Sequence, residues 1–180
     1  MRRSILLSGV VAVGVAVASP AISREIRDPE AKFKIKVPDT WSAVSQSSRD
    51  GASLFWAFLS PDEHFRIILR TEKLRGKFEC DKRLSAFEAS ELKNRMPGFV
   101  RLPVSDEDAK AKAKSPDECG GSYAGLRKDG KNNPRAYIVF ANFERKGGIV
   151  YRWLGEAEKE TFEKQTDEFL AMWESIVYLD

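Results

Sequence analysis

The stretch AYIVFANFERKGGIVYRWL at residues 136–154 decides the fold of this chain. Ala136 to Phe143 is rich in β-branched and aromatic residues, which favour strands. Arg145 to Gly148 (RKGG) predicts a tight turn, because glycine accepts the backbone angles of a hairpin. Ile149 to Leu154 then returns as a second strand. The stretch therefore predicts an antiparallel β-hairpin.

Three earlier stretches also predict strands. Residues 33–37 (FKIKV) alternate apolar residues with lysine, the pattern of a half-buried strand. Residues 53–59 (SLFWAFL) are apolar on both faces and predict a central strand, and residues 65–71 alternate again. Residues 24–31 are charged and are expected to be loose. Because the connections between the strands are short, their pairing is expected to be mostly antiparallel.

Two stretches predict amphipathic helices. The first covers Asp81 to Met96 and is stopped by Pro97-Gly98. The second covers Glu156 to Ser175, where acidic residues at the start suit the positive end of a helix. Residues 105–118 are highly charged, carry no large apolar side chain and predict a solvated loop or a frayed helix. The element order predicts an α+β domain, a mostly antiparallel sheet with two amphipathic helices.

The chain resembles the PsbP-like and DcrB-like family in two places. The pattern from Phe33 to Trp41, a strand followed by Pro38, a short turn and tryptophan, is similar to the opening of those proteins. Its ending is similar too, with a long hairpin, a short charged stretch, an amphipathic helix and the tail Ser175-Ile176-Val177. The resemblance implies a PsbP-like α/β/α sandwich. Proteins of that fold are mostly accessory or binding proteins, including an extrinsic photosystem subunit and a Ran-binding import factor.

The resemblance has two limits. It supplies no catalytic motif that matches positions in this sequence, so it points to no catalytic residue. Residues 105–118 depart from the pattern expected of the family. Since one fold can host many functions, the resemblance by itself fixes no activity.

The first residues have the three parts of a secretory signal peptide. Met1-Arg2-Arg3 is a positive head, and Ile5 to Ala18 is an apolar run shorter than the roughly 20 residues that span a bilayer. Ala21-Ile22-Ser23 then fits the small-residue cleavage rule. We predict a signal peptide at residues 1–23, removed after Ser23, and a single mature α+β domain at residues 24–180.

Several details of export remain open at this point. Ala18 is the next cleavage position, and an uncleaved anchor is an alternative. The order Arg2-Arg3-Ser4-Ile5-Leu6 also resembles a twin-arginine signal. Both export routes, the general secretory route and the twin-arginine route, predict a periplasmic or secreted protein with no stable membrane span after cleavage.

The composition argues against two classes of protein, nucleic-acid binders and metal scaffolds. The 30 basic and 27 acidic residues of the chain become 28 and 27 once Arg2 and Arg3 are removed with the signal, a net charge near +1. A generic nucleic-acid binder would be strongly basic. One histidine and two cysteines exclude a His-rich or Cys-rich metal scaffold, and the glycine pairs lack the context of a phosphate-binding loop. We therefore predict no cofactor and no nucleic-acid partner.

The two cysteines, Cys80 and Cys119, are predicted to form a disulfide. An exported chain meets an oxidising compartment, and these two residues are its only possible intramolecular pair. Two separate small residues are the first alternative, and a metal-binding or nucleophilic role is the second. A thioredoxin-like reaction has no support, because no C-x-x-C motif is present.

The only histidine, His64, is the one candidate for acid–base catalysis. It follows Asp62 and Glu63 in a turn, and a neighbouring carboxylate could orient it as a general base. An exposed turn histidine is the simpler interpretation, and no G-x-S-x-G motif accompanies it. The chain is therefore predicted to be a non-catalytic exported binding or accessory protein. The alternative is a small envelope hydrolase that uses His64 or an acid pair.

Basic side chains on three predicted strands are the candidate partner-binding residues. They are Lys34, Lys36, Arg66, Arg70 and Arg152. If the strands are neighbours with aligned faces, these cations form a stripe that attracts another envelope protein or an anionic envelope component. The alternative is an ordinary solvated face, or stems that shield apolar surface. Trp41, in a turn after Pro38, is the tryptophan most expected to be partly exposed, and is the next candidate.

Overall fold

The computed structural model describes residues 23–48, 53–103, 116–128 and 134–179. The elements are β1 (Ser23–Asp28), β2 (Phe33–Pro38), β3 (Ser42–Ser47), β4 (Ser53–Leu59), β5 (Phe65–Lys73), α1 (Cys80–Phe87), a π-helical turn (Glu88–Leu92), α2 (Lys93–Arg95), β6 (Val100–Arg101), β7 (Glu118–Lys128), β8 (Pro134–Lys146), β9 (Ile149–Glu158), α3 (Lys159–Glu174) and β10 (Val177–Tyr178). The π-helical turn joins α1 to α2 without a break in the chain's helical course.

The strands form two sheets. One has seven strands in the order β3-β4-β5-β9-β8-β7-β6, and the other has three in the order β1-β2-β10. Every pairing among the described strands is antiparallel. This confirms the predicted α+β class with a mostly antiparallel sheet. The predicted hairpin at residues 136–154 is the β8–β9 pair near the middle of the larger sheet.

One hydrophobic core lies between the larger sheet on one side and α3 with the smaller sheet on the other. Phe33 of β2, Phe65 of β5, Trp153 of β9 and Phe169 of α3 are all buried in it. Gly155 of β9 permits the close approach of α3, because a Cβ atom there would lie 3.1 Å from the Phe169 ring. Because side chains alternate along a strand, every second residue of β5 and β9 points into this core.

A second core lies on the opposite face of the larger sheet, under α1, the π-helical turn and α2. Phe87 and Leu92 pack there against Tyr123, Val139 and Phe143 of β7 and β8. Helices thus cover both faces of the central sheet. The PsbP-like α/β/α sandwich that the sequence predicts is the observed architecture.

Three local predictions are wrong. Residues 24–31 are not loose, because Ser23–Asp28 pairs with β2 along its whole length as an edge strand. The last helix begins at Lys159 rather than at Glu156, because β9 continues to Glu158 in register with β5 and β8. Trp41 is only 2% exposed, because the turn after Pro38 carries the indole into the core against Phe65.

The first helix lies close to its predicted position, over Cys80 to Arg95. Its first residue is joined to β7 by a disulfide between Cys80 and Cys119, whose Cα atoms are 5.7 Å apart. Most of the charged segment 105–118 lies outside the described residues, as does the predicted signal peptide apart from Ser23.

Candidate arginine-rich partner-binding face

Strands β5 and β9 bring three of the predicted cations together. The two strands are neighbours, with Arg70 opposite Arg152 and Arg66 opposite Glu156. Since side chains alternate along a strand, these four residues share one face of the sheet, the one that α1 and α2 cover.

Glu156 is the centre of this group. Its side chain is 2% exposed, and its carboxylate forms ion pairs with Arg66 of β5, Arg95 of α2 and Arg127 of β7. The Arg127 Nη1 atom lies 3.2 Å from Oε2 of Glu156, and the Arg127 guanidinium lies over the Tyr137 ring. Three guanidinium groups therefore share one buried carboxylate, which leaves a local excess of positive charge.

Glu91 holds the next arginine along the face. Arg152 donates to both carboxylate oxygens of Glu91, with Nη2 at 2.8 Å from Oε2, and Arg95 Nη2 lies 3.8 Å from the same carboxylate. Burial opposes the ionisation of Glu91, but the hydrogen bond and charge of Arg152 outweigh it and lower the pKa of Glu91. The carboxylate is therefore charged at neutral pH and fixes Arg152 in place.

We call this group the arginine face. Its members are Arg66, Arg70, Arg95, Arg127 and Arg152. The five guanidinium groups carry five positive charges, and the carboxylates of Glu91 and Glu156 carry two negative ones. The face therefore has three positive charges in excess. The side chains of the three arginines paired with Glu156 are each about one third exposed, at 29–31%.

Arg70 is the most accessible cation of the face. It is exposed and lies over the Phe55 ring, 5.7 Å from its centroid. Within the described parts of the chain, no carboxylate oxygen approaches it within 4.0 Å. Its charge is therefore available to a partner, whereas Arg66 and Arg152 are already engaged.

A cavity of about 280 Å³ opens beside Arg70. Arg83 and Arg152 also line it, together with Glu72, which forms an ion pair with Arg83. The Nε atom of Arg152 is a buried donor with no hydrogen-bond partner in this structure. Such a donor, beside two further guanidinium groups, suits an incoming carboxylate or other anionic group.

The remaining sequence candidates do not join this face. Lys34 and Lys36 lie on β2, in the three-stranded sheet, and Lys34 pairs with Glu25 at 3.3 Å. Trp41 is buried in the core between the sheets. The five predicted cations therefore form no single stripe, and only the three on β5 and β9 are neighbours.

Sequence reasoning missed Arg95 and Arg127 as members of the face, and it missed Glu156 as the carboxylate with which they pair. Arg95 stands four residues after Glu91 on the first helical segment, a spacing that places both on one helix face and could have been noticed. Arg127 and Glu156 carry no local signal, because their contact joins residues that are distant in the sequence.

His64 contacts a carboxylate but no nucleophile. Its Nδ1 atom lies 3.0 Å from Oε1 of Glu158, an oxygen that also pairs with Arg135 at 2.7 Å. No serine, threonine or cysteine side chain in the described ranges is hydrogen-bonded to the imidazole.

The same ranges contain no group of three or more His, Cys, Asp or Glu side chains arranged to hold a metal ion. None of their helices is long and apolar enough to cross a membrane.

Comparisons with known proteins show the fold. No protein-family model matches the chain, and no curated protein sequence does. The Ran-binding protein Mog1p of Saccharomyces cerevisiae is similar in structure, with a TM-score of 0.53, 8% identity, and coverage of 89% of this chain and 97% of that one. The chain shares that fold.

Two further solved structures are similar at lower scores. Cyanobacterial PsbP (CyanoP) from Synechocystis has a TM-score of 0.48 and 10% identity, and the match covers 96% of this chain and 98% of that one. LpqN of Mycobacterium tuberculosis, described as involved in cell envelope biogenesis, has a TM-score of 0.48 and 17% identity, with 91% and 88% covered. The α/β/α sandwich that the resemblance implied is confirmed at the level of the fold by the observed layers and by the likeness to Mog1p. At these identities the likeness fixes no function.

Proposed function

We propose that this chain is an exported, non-catalytic accessory protein that binds an acidic partner through the arginine face. The observation that carries the proposal is the excess of three positive charges on that face, with Arg70 in no ion pair with a described carboxylate and beside an arginine-lined cavity. The partner is another envelope protein with an acidic segment, or an anionic envelope component.

The arginine face is suited to binding because it is held in place before a partner arrives. The buried carboxylate of Glu156 and the bidentate contact of Glu91 fix four of the five guanidinium groups. Binding then costs less side-chain entropy than it would with freely rotating lysines. Guanidinium groups also bind carboxylates in a bidentate manner, which adds direction to the attraction.

A protein partner is supported by the likeness to Mog1p. That protein has the same fold and is described as Ran-binding. The fold therefore presents a protein-binding surface in at least one other chain. The likeness does not identify which surface of this chain binds a partner. The proposal for the arginine face therefore depends on the charges of the face itself.

Export is supported by the first residues and by the disulfide. The positive head, apolar run and small residues before Arg24 form a signal peptide pattern. A disulfide such as Cys80–Cys119 persists in an oxidising compartment and not in a reducing cytosol.

The mature N-terminus is expected at Arg24, or failing that at Ser19. Intact-mass analysis of the protein recovered from the periplasm or the medium measures it directly. Exported protein that retains Met1 would contradict cleavage and favour the uncleaved anchor.

Replacing Arg70 with glutamine is expected to weaken binding of an acidic peptide by about five- to tenfold, roughly 1–1.4 kcal/mol. The reason is that Arg70 is the exposed cation of the face, and no described carboxylate lies within 4.0 Å of it. The measurement is fluorescence anisotropy of a glutamate-rich peptide at low and at physiological salt, where the variant should also show a flatter salt dependence.

Two variants serve as controls for Arg70→Gln. Lys34→Gln removes a half-buried cation from the other sheet, and His64→Ala removes the only candidate catalytic base. Both should bind the peptide as the natural chain does. Equal affinity of the natural chain and Arg70→Gln would reject the arginine face. Capture by phosphatidylglycerol vesicles, but not by the peptide, would assign an anionic envelope component instead of a protein.

A further inference from the structure

A cleft runs along α3 on the side of the larger sheet opposite the arginine face. It lies between the helix and the outer strands β7 and β8. Two adjoining cavities make it up, of about 250 Å³ and about 180 Å³, and Glu118, Asn142 and Trp173 line both. The two cavities therefore form one continuous cleft.

The cleft exists because β7 presents small residues where it passes α3. The helix packs on β8, β9 and β2, and the adjacent part of β7 offers Gly120 and Ser122. A Cβ atom on Gly120 would lie 2.6 Å from the Ala141 carbonyl oxygen, so a larger residue would have to displace backbone. At Gly120 the lining of the cleft is therefore backbone.

One end of the cleft is apolar. Aromatic and aliphatic side chains from β8 and α3 line it: Phe140, Phe162, Phe169, Leu170 and Trp173. Leu170 is 44% exposed although its side chain is large and apolar, so a ligand in the cleft can contact its surface. Aromatic faces of this kind also attract cations.

The other end of the cleft is acidic. The Glu118 carboxylate accepts a hydrogen bond from Asn142 Nδ2 at 3.1 Å, and no cationic side chain of the described segments lies within 4.0 Å of it. Glu144 also lines this end, but its carboxylate already accepts from Tyr178 and pairs with Lys146 at 2.8 Å. Lys146 acts on Glu118 only at longer range, so Glu118 is the carboxylate at this end that forms no ion pair with a described side chain and can pair with a ligand.

We propose that this cleft binds a small amphiphilic cation, an amine with an aromatic or branched aliphatic body. The ammonium group pairs with Glu118 at the boundary of the two cavities. The apolar body lies along Gly120 against the rings of Phe140 and Trp173. The site is separate from the arginine face, since it lies on the other side of the sheet and has the opposite charge.

The test compares amines with neutral molecules of the same shape. Phenethylamine, tryptamine and isopentylamine are titrated into the mature protein, each beside its alcohol analogue, and NMR chemical shifts of the residues around the cleft report binding. The amines are expected to bind at least tenfold more tightly than the alcohols and to shift resonances of Ser122 and Leu170. Absence of binding by all three amines, or equal binding of amines and alcohols, would overturn the proposal.

Two variants locate the site. Glu118→Gln should remove the preference for amines over alcohols, a loss of at least tenfold, while Ser122→Leu should fill the cleft and weaken both classes. Glu72→Gln, an acidic residue on the other face of the sheet, is the matched control and should change neither. If Glu118→Gln binds amines like the natural chain, the cleft is not their site. Peptide binding by the arginine face is measured separately, so failure of one proposal leaves the other standing.

Discussion

Replacing Glu156 with glutamine is expected to lower the free energy of unfolding by about 3 kcal/mol. Removing one partner of a buried ion pair costs about 3–5 kcal/mol, because charges are left without compensation. The lower end applies here, since the guanidinium groups of Arg66, Arg95 and Arg127 stay about one third exposed and can turn toward water. Urea unfolding followed by tryptophan fluorescence measures the change.

Glu72→Gln is the matched control for this substitution. Glu72 also pairs with an arginine, but its side chain is 53% exposed, so the loss should stay below about 1 kcal/mol. Equal stability of the two variants would contradict a structural role for the buried carboxylate.

The same substitution separates stability from binding. Without the Glu156 carboxylate, the arginine face carries four excess positive charges instead of three. The added charge should offset the fixed orientation that the arginines lose with the carboxylate, so Glu156→Gln should bind an acidic peptide about as tightly as the natural chain, at a temperature where both are folded. A large loss of peptide binding would mean that the orientation of the arginines matters more than their charge.

The fold was predictable because its main signals are local. The glycine turn at Gly147-Gly148 and the alternation in residues 33–37 and 65–71 each reflect only a few neighbouring side chains. The order of two helices and several strands then favours one layered arrangement. None of these signals required knowledge of which strands lie side by side.

The boundary between β9 and α3 was predicted wrongly for a physical reason. Acidic residues before a helical pattern are typical of a helix start, and Glu156 fits that pattern. The same residue also fits a strand in which it faces Arg66 across the sheet. Only the pairing of β5 with β9, which joins residues 90 positions apart, decides between the two.

The edge strand β1 and Trp41 illustrate the same limit. Arg24 donates hydrogen bonds to the carbonyl oxygens of Asp39 and Trp41, at 3.0 and 2.6 Å, and so joins a charged segment to the turn. The charged residues 24–28 contain no sequence pattern that predicts these contacts. A turn after Pro38 is predicted by its composition, but the direction in which it carries Trp41 depends on the core beyond it.

The arginine face was therefore predictable in part. Arg66, Arg70 and Arg152 were found from alternation, because each stands on the polar side of its own strand. Lys34 and Lys36 fit the same rule, but alternation cannot tell that β2 belongs to a second sheet. The carboxylates that neutralise part of the face come from a helix and from β9, and only the folded chain brings them together.

Replacing both Cys80 and Cys119 with alanine is expected to lower the free energy of unfolding by about 4 kcal/mol. The disulfide closes a loop with a sequence separation of 39 residues, and loops of this length are worth roughly that amount in the chain-entropy model. Alanine is suited to the test because both cysteines pack beside the second core, where a serine hydroxyl would need a partner. A domain of this size should melt about 8–16 °C lower.

The position of the disulfide gives this prediction a second, functional readout. Cys80 begins the helical segment that carries Glu91 and Arg95, while Cys119 stands on β7 next to Glu118 of the cleft. Without the bond, the helical segment is held to β7 by side-chain packing and by the hydrogen bond that Tyr123 donates to Glu88, so the melting temperature and peptide binding should fall together. A reducing agent should lower the melting temperature of the natural chain and leave that of the double variant unchanged. If the double variant melts within 2–3 °C of the natural chain, about 1 kcal/mol, the packing of Phe87 and Leu92 holds the helix in place without the bond.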